Sequence, residues 1–92
     1  MNDDRYQIVV ARPAATAIAE QLPETVAAAV IELITGALLD NPRRVGVALR
    51  NELEKLWSAR RGTYRILYRI DDARREVVIL RVVHRRDAYR PD

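Results

Sequence analysis

The chain contains no cysteine and a single histidine. Without cysteine there is no disulfide framework and no thiolate chemistry, and one histidine argues against a zinc site built by the protein alone. No apolar run is long enough to span a bilayer. The first residues, MNDDRYQIVV, carry acidic side chains where a secretory signal would need a basic segment. We therefore expect a cytoplasmic protein without a membrane segment, a metal or a cofactor.

The size and apolar content of the chain fit one small globular unit. Its 92 residues, 49% of them hydrophobic, can build one core but not two, and this apolar fraction argues against disorder. No internal repeat, linker or low-complexity segment is visible. We expect a single domain over residues 1–92.

Positive charge is concentrated in the second half of the chain. Residues 1–54 carry five basic and eight acidic residues, whereas residues 55–92 carry eleven basic and five acidic ones. Fifteen of the sixteen basic residues are arginine, which binds phosphate through a planar, bidentate contact. Such a basic half is typical of a nucleic-acid or phosphate binder. Charge runs also serve simply to solvate a surface, and both interpretations stay open here.

The first half of the chain predicts a strand followed by two antiparallel helices. Arg5–Ala11 is rich in strand-forming residues. Pro13 suits the first turn of a helix that continues to Leu22, and Pro23 begins a second helix that ends at Asp40–Pro42. The second helix has the three-or-four spacing of a buried apolar stripe, formed by Val26, Val30, Leu33, Ala37 and Leu38.

The second half predicts an antiparallel meander. After a connector at Arg43–Leu53, strands are predicted at Glu54–Arg60, Tyr64–Ile70 and Glu76–His84. The predicted fold class is α+β, with an N-terminal strand and two antiparallel helices packed on one face of a small antiparallel sheet. The middle strand alternates, with Tyr64, Ile66, Tyr68 and Ile70 on one face and Arg65, Leu67 and Arg69 on the other.

This alternation gives the sheet one face suited to a core and one suited to an anion. If the helices cover the face of Ile66, the opposite face presents Arg65 and Arg69, with Arg60 and Arg85 at neighbouring strand ends. A positive sheet face suits a polyanion. Polar residues on the outer face of an antiparallel sheet are also ordinary, so plain solvation stays an alternative.

The segment VVHRRDAYR, residues 82–90, adds side chains that suit phosphodiester cleavage. It contains His84, Arg85, Arg86 and Tyr89. RNA cleavage by its own 2′-hydroxyl needs a base, a donor to the leaving oxygen and cations at the phosphate oxygens, but neither a metal nor an enzyme nucleophile. Taken singly, His84 and Tyr89 are more often structural residues than catalytic ones.

Two stretches, LWSARRGTYRILYRID and VVILRVVHRRDAY, resemble the carboxy-terminal signature of the RelE/ParE toxin superfamily. The order of predicted elements agrees over nearly the whole chain. The RelE branch implies a ribosome-dependent endonuclease that cuts messenger RNA in the ribosomal A site and is held by an acidic, RelB-like antitoxin in a hetero-oligomer. The ParE branch implies an inhibitor of DNA gyrase without catalytic activity. A degenerate RNA-binding module is a third alternative.

The resemblance to the RelE branch implies roles for individual residues. Arg65 corresponds to a phosphate-contacting arginine, and Arg85 to one that stabilises the transition state or protonates the leaving group. Tyr89 corresponds, at a shorter spacing, to a tyrosine that stacks on the base and orients the 2′-hydroxyl. Ser58 stands where some members have a basic residue as general base, which leaves His84 as the candidate to replace it. The expected RNA-binding residues are Arg60, Arg61, Arg69 and Arg86.

Overall fold

The computed structural model describes residues 5–49 and 55–87. Within these ranges no helix is both long enough and apolar enough to cross a membrane. In chain order the described elements are β1 (Gln7–Val10), α1 (Arg12–Thr16) with a π-helical turn (Ala17–Gln21), α2 (Glu24–Thr35), α3 (Ala37–Asp40), α4 (Pro42–Val45), β2 (Val47–Ala48), β3 (Trp57–Arg61), β4 (Tyr64–Asp71), β5 (Glu76–His84) and a 3₁₀ turn (Arg85–Asp87).

The strands form one sheet in the order β1-β5-β4-β3-β2. Strands β2 to β5 pair antiparallel, as the predicted meander requires. Strand β1 instead runs parallel to β5, with Gln7 opposite Glu76 and Val10 opposite Ile79. The predicted α+β class is therefore confirmed, and the parallel pairing at the edge is an addition to it. Sequence patterns identify a strand but do not say which neighbour it joins, because any edge can supply the missing hydrogen bonds.

The helical region is more interrupted than its sequence pattern predicts. The second predicted helix stops at Gly36, whose φ of −115° and ψ of −101° lie outside the helical range, and resumes as α3. Asn41 then caps α4, its side chain accepting a hydrogen bond from the Arg44 N–H at 3.2 Å. Part of the predicted connector is thus α4 and β2, which brings Val47 opposite Ser58.

The helices cover one face of the sheet, and the core lies between them. Ile66 and Tyr68 are fully buried there, whereas Tyr64 and Ile70 are half-buried. The Tyr68 hydroxyl donates to the carbonyl of Pro42 at 2.5 Å, and burial raises the pKa of Tyr68 to about 12. The other buried side chains are Ala14, Ala17, Val30, Ile34, Leu38, Leu39, Ala59, Val77, Ile79 and Val82.

A β-bulge in β5 decides which side chains face the core near its end. Tyr68 pairs with Ile79 but Leu67 pairs with Arg81, so Leu80 is an extra residue without a partner on β4. Buried positions consequently change from Val77 and Ile79 to Val82. Without the bulge, strict alternation would have turned Arg81 toward the core, where an arginine is costly.

Candidate functional site

Two arginines stand side by side on the sheet face that the helices leave open. Arg60 on β3 and Arg65 on β4 are direct cross-strand partners. Because Ile66 points into the core, its neighbour Arg65 points away from the helices. Directly opposite residues have Cβ atoms roughly 5 Å apart, and like charges at that separation destabilise a sheet. An anion bound between the two guanidinium groups would relieve this repulsion.

Arg60 and Arg65 line a cavity of about 450 Å³. The Ser58 side chain lies beside them, and Val45, Val47 and Leu49 form an apolar wall. The Nη1 atom of Arg65 is buried, and no described residue offers it a hydrogen-bond acceptor. A buried donor without an acceptor costs about 1–3 kcal/mol, and more when it is charged. An anionic oxygen in the cavity would supply the missing acceptor.

The two arginines of the cavity have no acidic partner among the described residues, unlike several arginines elsewhere in the protein. Arg60 and Arg65 form no salt bridge within the described ranges. Three other arginines are paired, namely Arg5 with Asp40 at 2.7 Å, Arg43 with Asp72 at 2.5 Å and Arg61 with Glu32 at 3.6 Å. The chain therefore neutralises part of its positive charge around the helices and leaves the cavity positive.

The remaining arginines of β3 and β4 lie apart from the cavity. Arg61 follows Arg60 on β3, so it points toward the helices, where it meets Glu32 on α2. Arg69 is exposed on the same face as Arg65 but further along β4, opposite Val78. Of the predicted RNA-binding residues, the structure therefore places Arg60 in the cavity beside Arg65, with Arg61 on the other face.

The end of β5 brings Arg85 near the start of β4. The Arg85 N–H donates to the carbonyl of Thr63 at 2.6 Å, two positions before Arg65 in the chain. Both Arg85 and Arg86 are exposed, and the Arg86 N–H donates to Nδ1 of His84 at 3.3 Å. Two further exposed arginines thus lie at the end of β5, beside the residue that precedes β4.

His84 lies on the other side of the sheet from Arg65. It is the direct partner of Tyr64, and their side chains share the helix-covered face. His84 is therefore not part of the group of side chains around the cavity, and a catalytic role for it stays a prediction. Tyr89 lies outside the described residues, so its predicted role also stays a prediction.

The apolar wall of the cavity is a feature that the sequence pattern did not predict. Val47 is 70% exposed and belongs to a strand of only two residues, too short to show alternation. Ser58 departs from the pattern of the family that the sequence resembles, and the structure places it on the cavity surface. The only sequence signal for this wall was the run of apolar residues after Gly46.

Comparison with known proteins finds similar sequences over most of the chain. The family model described as the ParE toxin of the type II toxin–antitoxin system, parDE, matches residues 7–89. Toxin RelE of Mycobacterium tuberculosis (strain ATCC 25618 / H37Rv) is 46% identical over 91 residues, which cover 98% of this chain and 93% of that protein. Toxin RelG of the same strain is 59% identical over 70 residues, covering 76% and 80%.

Solved structures show the same likeness. The toxin–antitoxin complex RelBE2 from Mycobacterium tuberculosis contains a chain that is 49% identical, with a TM-score of 0.80 over 88% of this chain and 99% of that one. The isolated RelE toxin of E. coli is 20% identical, with a TM-score of 0.73 over 95% and 88%. At 20% identity the E. coli structure supports the fold alone.

Proposed function

Because the chain belongs to the RelE/ParE family of type II toxins, we propose that it is an RNA-cleaving toxin of the RelE kind. Its substrate in this proposal is messenger RNA in the ribosomal A site, and its effect is to stop translation and growth. The observation that carries the proposal is the buried, unpartnered Nη1 of Arg65 in a cavity that also contains Arg60. The RelE and RelG names of its relatives support this branch.

The proposed reaction uses the substrate's own 2′-hydroxyl as nucleophile. The hydroxyl loses its proton and its oxygen attacks the adjacent phosphorus, while the bond from phosphorus to the 5′-oxygen of the next nucleotide breaks. That leaving oxygen takes up a proton, and the products are a 2′,3′-cyclic phosphate and a 5′-hydroxyl. Negative charge builds up on the non-bridging phosphate oxygens during the attack, which is where fixed positive groups contribute most.

In this proposal Arg65 and Arg60 bind the non-bridging oxygens of the scissile phosphate. Their side-by-side register lets two guanidinium groups meet one phosphate, and guanidinium geometry favours paired hydrogen bonds to it. The folded protein already holds the two arginines close together despite their mutual repulsion. Substrate binding therefore does not have to supply the free energy needed to bring these charges together. Arg85, held at the strand end beside Thr63, would stabilise the transition state or protonate the leaving oxygen.

None of the described residues that line the cavity is a strong general base. Ser58 lines the cavity, but a serine hydroxyl is too weak a base to remove the 2′-proton at neutral pH. We propose that Ser58 instead hydrogen-bonds the ribose or phosphate. The ribosome would then hold the attacking hydroxyl in line with the phosphorus, since orientation alone can lower a barrier by several kcal/mol.

We also propose an acidic antitoxin as the partner in a hetero-oligomer. Support comes from the similar solved structures, among them the RelBE2 complex and the intact E. coli RelBE complex. Residues 55–92 have six more basic than acidic side chains, so association should slow as salt is raised from about 0.05 M to 0.5 M. Stopped-flow association rates that do not depend on salt would contradict this electrostatic attraction.

Inhibition of DNA gyrase is the second candidate function. It is favoured by one finding, namely that the matching family model is described as a ParE toxin. A ParE-like protein would use the same basic face to bind a protein target and would need no chemistry at the cavity. The two functions therefore differ in whether RNA is cut.

The test is cleavage of ribosome-bound message by the purified protein in the presence of EDTA. We expect fragments with 2′,3′-cyclic phosphate ends, mapped by primer extension and end-group analysis. Removal of one preorganised donor typically costs about 100- to 1000-fold in rate, so Arg65→Ala and Arg85→Ala should each lose about that much. Arg74→Ala, on the exposed β4–β5 turn, is the matched control and should keep nearly full activity.

Two other results would change the assignment. If no RNA is cut but supercoiling by gyrase is blocked and growth stops, the ParE-like function replaces the proposed one. If neither activity is found and growth is unaffected, the positive face is an RNA-binding or solvated surface only. Equal losses for Arg74→Ala and Arg65→Ala would show that net charge, and not the cavity, determines cleavage.

A further inference from the structure

A second cavity with two arginines lies beside α1, separate from the one around Arg65. It has a volume of about 340 Å³, and its polar lining consists of Arg12, Thr16, Gln21 and Arg81. Both arginines are exposed, and within the described ranges neither forms a salt bridge. Among the described residues the lining therefore offers two cations and two neutral hydrogen-bonding groups, and none of them is a carboxylate.

The cavity exists because β1 and β5 part at this point. The last residue of β1, Val10, pairs with Ile79, after which the chain turns into α1 while β5 continues. The bulge at Leu80 follows directly and turns Arg81 away from the core. The end of the shorter strand and the bulge together open a gap between α1 and the edge of β5, with an arginine on each side.

The strand register relates this second cavity to the first. Ser58, Leu67 and Arg81 are successive partners across β3, β4 and β5. Two residues along, and therefore next on the same face, is the row of Arg60, Arg65 and Val83. Neighbouring strands are about 4.8 Å apart, so the two cavities lie roughly 10 Å apart across the strands. The cations of the open face, Arg60, Arg65 and Arg81, lead to the edge of β5, where Arg12 on α1 lines the same cavity as Arg81.

We infer that the Arg12–Arg81 cavity binds a second backbone phosphate of the RNA strand whose scissile phosphate lies at Arg60 and Arg65. This inference rests on the proposed function. A row of cations that crosses several strands fits a ligand with one phosphate per nucleotide better than it fits a single anion. Thr16 and Gln21 add hydrogen bonds to phosphate or ribose without discriminating between bases. The site would thus hold the strand in register for cleavage and contribute to affinity, not to the chemical step.

The test measures how the protein binds 2′-O-methyl oligonucleotides, which cannot be cleaved by a 2′-hydroxyl attack. Fluorescence anisotropy would compare a dinucleotide, whose single phosphate fits one site only, with an oligonucleotide of about twelve nucleotides, which reaches both sites. For Arg12→Gln/Arg81→Gln we expect about tenfold weaker binding of the longer oligonucleotide, with the short one nearly unchanged. The slope of log affinity against log salt should become less steep by about 0.7, the value for one lost phosphate contact on a single strand.

The control variant Arg44→Gln/Arg74→Gln removes the same charge from exposed positions on α4 and the β4–β5 turn. In this control variant, the ratio of the two oligonucleotide affinities and the salt slope should both change less than in Arg12→Gln/Arg81→Gln. Far-UV circular dichroism would check that both variants are folded. Arg12→Lys/Arg81→Lys should restore the salt slope, because the charge returns, which a purely structural role for the arginines would not predict.

The proposed function and the inference about the second cavity would be contradicted by different results. If Arg12→Gln/Arg81→Gln binds the longer oligonucleotide as the control variant does, this inference is overturned. It is also overturned if that variant loses affinity for a poly-glutamate peptide but not for RNA, since the cavity would then recognise an acidic protein. Unchanged binding of the short oligonucleotide by Arg65→Gln would instead contradict the proposed function.

Discussion

Tyr64 and His84 meet edge to face, with ring centroids 5.3 Å apart and an interplanar angle of 76°. They are direct partners across β4 and β5, on the face opposite Arg65. We expect His84→Ala to cost about 0.5–1.5 kcal/mol of stability, the usual value of an aromatic pair. Its cleavage rate should fall far less than the 100- to 10,000-fold expected on removal of a general base. Urea unfolding and single-turnover cleavage would measure the two effects.

His84→Phe provides the matched control, because it keeps a ring beside Tyr64 but has no titratable nitrogen. We expect it to restore stability relative to His84→Ala and to cleave RNA nearly as well as the wild type. If the cleavage rate fell more than about 100-fold in both variants, His84 would be a catalytic residue that reaches the RNA past the end of β5.

Arg60 should reduce stability while it contributes to function. Since Arg60 and Arg65 are directly opposed, Arg60→Gln should stabilise the folded protein by about 0.2–1 kcal/mol, measured by urea unfolding at low salt. The same change should slow RNA cleavage, because one phosphate ligand is lost. Added sulfate should stabilise the wild type more than the variant. Destabilisation by Arg60→Gln would show that the arginine makes favourable contacts that outweigh the repulsion.

Gly46 and Tyr68 are expected to be energetically coupled. A Cβ at position 46 would overlap the Tyr68 hydroxyl and approach its ring and the Ser58 carbonyl. Gly46→Ala should therefore cost about 1–3 kcal/mol by overpacking. In Gly46→Ala/Tyr68→Phe the hydroxyl is absent, so the total cost should be smaller than the sum of the two single changes. Additive costs in thermal or urea unfolding would rule out this contact as the cause.

Tyr6, which directly precedes β1, forms a cluster with Arg43 on α4 and Asp72 on the β4–β5 turn. Asp72 accepts hydrogen bonds from Arg43 and from the Tyr6 hydroxyl, the latter at 2.7 Å. Arg43 first, and Tyr6 second, lower the pKa of Asp72 from 3.8 to about 2. Since the folded pKa is the lower one, the cluster stabilises the protein above about pH 4, and this contribution is lost as the pH falls toward 2.

The change that tests this cluster is Asp72→Asn. Between about pH 4 and pH 2 the free energy of unfolding should fall less steeply in this variant than in the wild type. Because both side chains of the ion pair are about half exposed, the difference should be small and should shrink at high salt. Tyr6→Phe should show part of the same change. Equal pH slopes in the wild type and Asp72→Asn would contradict the hydrogen-bonded arrangement.

Local patterns in the sequence determined the fold class and the division of the sheet into two faces. The alternation over Tyr64–Ile70 correctly assigned Ile66 and Tyr68 to the core and Arg65 to the opposite face, since side chains on a strand must alternate. Pro13 and Pro23 similarly marked where helices begin. These features depend on neighbouring residues in the chain, so composition and spacing were sufficient to predict them.

Only the tertiary structure decided which arginines meet. The bulge at Leu80 cannot be seen in a strand that is apolar on both faces, yet it places His84 away from Arg65 and turns Arg81 outward. The register that pairs Arg60 with Arg65, and the two-residue strand that brings Val47 to Ser58, are equally non-local. Contacts between strands depend on how the whole sheet satisfies its hydrogen bonds and fills its core, and no single segment carries that information.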